Sequence, residues 1–145
     1  MPVTDDQVAA LRALLADDQD RHRQLFGQLD RAEARTGYPA LVTAAFGEAV
    51  ERRFGQHCQP ADVVAFVAGV RSRSDRLAGQ LDPDAAERVI NAVLGHGSIR
   101  DLDREAVTRA KLVLLAALVA DARLDAAALD EFLAAARKLA GQLMS

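Results

Sequence analysis

Nine consecutive apolar residues, Leu112 to Ala120, stand between Lys111 and Asp121. A membrane-spanning helix needs about 20 such residues, so this run cannot cross a bilayer. It is also apolar on every side, which is the signature of a helix surrounded by other helices. The run therefore predicts a central hydrophobic helix from about Asp103 to Ala122, with its core over 104–121. Composition agrees: half of the residues are hydrophobic, only 4% are aromatic, and there is no Trp. Ala and Leu dominate, which favours helix over strand. With 27% charged residues the chain falls outside the disordered and fibrous classes.

Helix starts are plainly written. Thr4 and Gln7 have the spacing of a capping box, and Val3 and Val8 that of a hydrophobic staple. The same five-residue apolar spacing brackets Asp103 (Leu102, Val107) and Asp125 (Leu124, Leu129). Asp82-Pro83 places a capping carboxylate before a first-turn Pro, and Pro39 and Pro60 can serve similarly after Tyr38 and Gln59.

Between these starts apolar residues recur at threes and fours. Val8, Leu11, Leu15, Leu25, Leu29 and Ala32 form one stripe, interrupted by Asp18 and His22. Asp17, Asp18 and Asp20 are poor helix formers and good caps, so a break there is expected. Later helices are expected at about 39–54, with Gly37 and Gly55 as stops, at 60–74 with Val63, Val64, Phe66, Val67 and Val70 inside, and at 83–94. The last two run over about 103–122 and 126–143. The expectation is an all-α single domain, residues 1–145, of six to seven helices. The opening Met1-Pro2-Val3-Thr4-Asp5-Asp6 has no basic and apolar leader. With one Cys and no internal disulfide possible, a cytoplasmic location is expected.

Chemistry-bearing residues are few. His57 and Cys58 are adjacent and His96 is distant, which is not the paired spacing of a zinc site. Asp18 and His22, four apart, read either as an acid–base or metal pair on an unbroken helix, or as a cap plus a half-buried His. Gly95-His96-Gly97-Ser98 follows a helix rather than a strand, so it reads as a helix stop and not as a phosphate loop. Asp101, Asp103 and Glu105 begin like a calcium loop, but Ala106 and Leu112 stand where Gly and Glu are required. No catalytic residue, metal or cofactor is expected.

One stretch resembles a known class. Asp62-Val63-Val64-Ala65-Phe66-Val67-Ala68-Gly69-Val70 resembles the core of bacterial helix-turn-helix regulators, and Ala68-Gly69-Val70 is similar to the DNA-binding start of tetracycline-repressor-type regulators. The resemblance implies close helix packing at Ala65, a turn at Gly69, and nucleic-acid contacts from Arg71, Arg73 and Arg76. It departs at Asp75, where an apolar residue should hold the recognition helix. The segment 38–81 sums to only +1 and the whole chain to −3, a weak attraction for a polyanion. The leading expectation is a non-enzymatic protein-interaction or regulatory module that binds a protein partner or a second copy of itself, without membrane contact. A nucleic-acid-binding regulator using a degenerate helix-turn-helix over 60–76 is the alternative. A carrier of a hydrophobic ligand, with His22 or His96 at the mouth of its pocket, is a third.

Overall fold

A computed structural model of the chain describes residues 3–55 and 58–144. Eight α-helices and one π-helical turn make up the regular structure of these residues, and no strand occurs among them. The helices are α1 (Asp5–Leu15), α2 (Gln19–Gly27), α3 (Tyr38–Phe54), α4 (Pro60–Arg71), α5 (Asp75–Gln80), α6 (Pro83–Val93), α7 (Arg104–Ala122) and α8 (Ala126–Met144). The protein is all-α. None of its helices is long and apolar enough to cross a membrane, among the described residues.

Side-chain caps set the starts. Thr4 accepts from the Gln7 amide at 3.3 Å, and the Thr4 amide donates back to Gln7 Oε1. Asp82, Asp103 and Asp125 accept from Ala85, Ala106 and Ala128 at 2.9, 3.1 and 2.7 Å. Each satisfies an amide the helix itself cannot pair. The break after α1 falls within the Asp cluster: Asp17 takes a left-handed φ of 61°, and Asp18 caps α2 through the Arg21 amide at 3.1 Å.

The chain forms two compact units, one from 1–48 with 119–145 and the other from 49–118. In the first, buried residues include Leu11 of α1, Leu41 and Phe46 of α3, and Phe132, Leu133 and Ala136 of α8. Arg12 pairs with Asp130 at 2.8 Å, and Arg137 reaches both Asp5 and the Val3 carbonyl, at 2.6 and 2.8 Å. In the second, Val63, Val67 and Val70 of α4, Val89 and Ile90 of α6, and Leu114 and Leu115 of α7 are buried. Arg88 of α6 holds the segment before α7 through Asp101 (3.1 Å) and the Ser98 carbonyl (2.8 Å). Along α7, no residue from Leu112 to Val119 is exposed, while Ala120 reaches solvent.

Three expectations need correction. Gly37 is not a stop before α3. It is buried within the π-helical turn Glu33–Gly37, which runs straight into α3 with the Tyr38 amide donating to the Glu33 carbonyl. The helix expected over 60–74 ends at Arg71, and Ser74 starts the short α5 by accepting from the Leu77 amide at 3.0 Å. Val64, expected inside, is 49% exposed.

Candidate interaction site

The solvent side of α4 is the least ordinary surface of the second unit. Val63, Phe66, Val67 and Val70 occupy the buried side, leaving Ala61, Val64, Ala65, Ala68 and Gly69 exposed. These fall at helical spacing on one face, without a charge between Asp62 and Arg71. An exposed helix face normally carries charged residues. Beside it lies a cleft of about 340 Å³ lined by Arg53, Phe54, Cys58, Asp62, Ala65 and Phe66. Phe54 and Phe66 meet edge to face at 5.6 Å, and the Arg53 guanidinium stands 5.4 and 5.7 Å from their ring centres. The rings fix the cation by their quadrupoles, so an apolar face meets a positioned positive charge at one edge.

The residues expected to contact nucleic acid do not act alike. Arg71 is half-buried and folds back, its Nε donating to the Leu81 carbonyl at 2.9 Å and Nη2 to the Ala78 carbonyl at 3.1 Å. It thereby caps the C-terminal end of α5, whose last carbonyls lack helical donors. Arg73 lies in the turn and Arg76 in α5, both exposed. Ala65 and Gly69 are exposed too. Ala65 therefore does not serve a close helix contact, and the turn falls at 72–74, three residues beyond Gly69.

His22 belongs to the first unit and His96 to the second, while His57 lies outside the described residues. Asp18 and His22 do not form a side-chain pair: Asp18 caps α2, and His22 Nε2 is 3.0 Å from the Tyr38 hydroxyl. Burial lowers the pKa of His22 and raises that of Tyr38, because desolvation disfavours the charged form of each. His22 also stacks on Phe26 at 5.8 Å, and Phe26 meets Tyr38 edge-on at 5.2 Å. Sequence spacing pointed to His22 but not to Tyr38, sixteen residues away on another helix.

In the second unit, Glu51, Cys58 and His96 line a cleft of about 340 Å³ with Gly55 and Leu94. Cys58 is half-exposed and its thiol donates to the Gln59 carbonyl at 3.3 Å. Among the described residues no group of three or more His, Cys, Asp or Glu is arranged to hold a metal ion. Gly95 and Gly97 have φ of 85° and 106°, and the His96 amide donates to the Asn91 carbonyl at 2.7 Å, closing off α6. No protein-family model, no curated protein and no solved structure matches the chain.

Proposed function

We propose that the protein is a non-enzymatic interaction module that docks an apolar helix of a protein partner across the exposed face of α4. One observation carries this reading: Val64, 49% exposed, lies on one face with Ala61, Ala65, Ala68 and Gly69, and no charged residue stands between Asp62 and Arg71. Small side chains let a second helix approach closely, and Val64 supplies a knob for it. Arg53, held over Phe54 and Phe66, offers an anchor for an acidic side chain at the edge of the partner helix. A reducing, cytoplasmic setting suits the half-exposed thiol of Cys58.

The test is quantitative affinity capture from the native cell with the wild-type chain and Val64→Glu. Partners retained by the wild type and lost by the variant, at equal thermal stability, support the reading. An unchanged set of retained proteins overturns it. If the partner is a second copy, the wild-type mass is twice the 15.5 kDa chain and Val64→Glu restores the single mass.

A second reading, nucleic-acid binding through 60–76, is favoured by the sequence of helix, three-residue turn and helix that α4 and α5 form, with Arg73 and Arg76 on its surface. It requires affinity for duplex DNA that falls steeply with salt and drops in Arg73→Ala and Arg76→Ala. Affinity unaffected by these substitutions removes it.

A further inference from the structure

We propose that the cleft lined by Leu14 of α1 and by α2 is a binding site for a small carboxylate carried on a flat apolar body. The cleft has a volume of about 420 Å³ and is lined by Leu14, Gln19, His22, Arg23, Phe26 and Gly27. Sites for small organic ligands occupy roughly 300–1,000 Å³. The site lies in the first unit and is independent of the α4 face.

Phe26 gives the first reason. The residue is 38% exposed on a helix that buries none of its own residues, so part of a large aromatic ring is open to solvent. Nevertheless the ring is held. His22 stacks on it at 28° between planes, Tyr38 meets it at 68°, and the hydroxyl of the buried Tyr38 lies 3.0 Å from His22 Nε2. A wall fixed before binding loses little entropy when a ligand arrives, and an exposed ring face prefers an offset-stacked aromatic over water.

Charge gives the second reason. Gln19, Arg23 and Phe26 fall at helical spacing along one side of α2, spanning about 10 Å at 1.5 Å per residue. The polar pair thus precedes the aromatic wall along the cleft. The Arg23 guanidinium stands 3.9 Å from Asp20, with the two side chains 80% and 97% exposed. A pair that open to water is weakly held, so a ligand carboxylate can replace Asp20 and take two parallel N–H donors. The neighbouring Asp18 carboxylate is already engaged by the Arg21 amide at the helix cap.

The full chain is titrated with 3-phenylpropanoate and followed by heteronuclear NMR. Saturable shifts at Leu14, His22, Phe26 and Gly27 are expected, with affinity reduced about five-fold both by Arg23→Gln and by using the neutral 3-phenylpropanamide. Phe26→Leu, which keeps an apolar side chain and the helix but removes the ring, weakens binding as well. Shifts that grow linearly without saturation overturn the site. Equal affinity for acid and amide, or for parent and Arg23→Gln, overturns the assignment of the carboxylate to Arg23.

Discussion

The carboxamide of Gln7 fills the space that a Cβ on Gly37 would need. Gln7 is 1% exposed, and its amide is occupied: Oε1 accepts from the Thr4 amide and Nε2 donates to Glu33 at 3.4 Å. Glu33 also accepts from the Thr4 hydroxyl at 2.6 Å. The start of α1 and the π-helical turn are therefore one hydrogen-bonded assembly, with glycine at the point of closest approach. Gly37→Ala must push aside a buried carboxamide that makes hydrogen bonds to Thr4 and Glu33. A loss of about 1–3 kcal/mol is expected in urea unfolding. Gln7→Ala should make the second substitution nearly neutral, a non-additivity measured by the double-mutant cycle.

Arg71 and Arg76 should separate cleanly. Arg71→Ala deprives the Ala78 and Leu81 carbonyls of their donor, at a cost of about 1–3 kcal/mol. Faster amide exchange across α5 accompanies it. Arg76→Ala removes an exposed side chain, with an effect within about 0.5 kcal/mol.

His22 gives a pH dependence of known sign. Its folded pKa lies below the ordinary 6.5 because burial penalises the imidazolium. The unfolded chain then binds the proton more readily, so stability is full above 6.5 and declines as pH falls through the lowered folded pKa. Thermal melts between pH 7.5 and 5 should show this decline, and His22→Phe should flatten it.

Asp101 acts at lower pH. The hydrogen bond from Arg88 holds its carboxyl below the usual Asp value of 3.8. Its contribution is present above that value and disappears as pH falls through the lowered folded pKa. Amide exchange at 98–103 should accelerate over that acid window, and Arg88→Gln should loosen the segment already at neutral pH.

The two faces of α4 should respond oppositely. Val67→Glu places a charge where the structure is 1% exposed and should prevent folding. Val64→Glu should leave the melting curve within about 0.5 kcal/mol of the parent, because the side chain already meets water.

What was legible in the chain was local. Caps such as Thr4, Asp82, Asp103 and Asp125 act on amides within three residues, so the signal and its target share one short window. The Asp17–Asp20 break was readable for the same reason. Gly37 misled because its cause, Gln7, lies thirty residues away and on another helix. Helix α5 is too short to show in the pattern: its six residues, Gly79 among them, carry too little periodicity, and only the Ser74 cap on the Leu77 amide marks it. Both sides of α4 are apolar, and periodicity cannot decide whether the side of Val64 or that of Val67 faces inward. The His22–Tyr38 pair likewise needed the tertiary structure.

The unit built from 1–48 and 119–145 closes through Arg137, which grips Asp5 and the Val3 carbonyl across more than 130 residues of chain. During synthesis the 49–118 unit has all its parts once residue 118 has left the ribosome. The other must wait for α8, and until then Arg12 lacks Asp130 and Asp5 lacks Arg137.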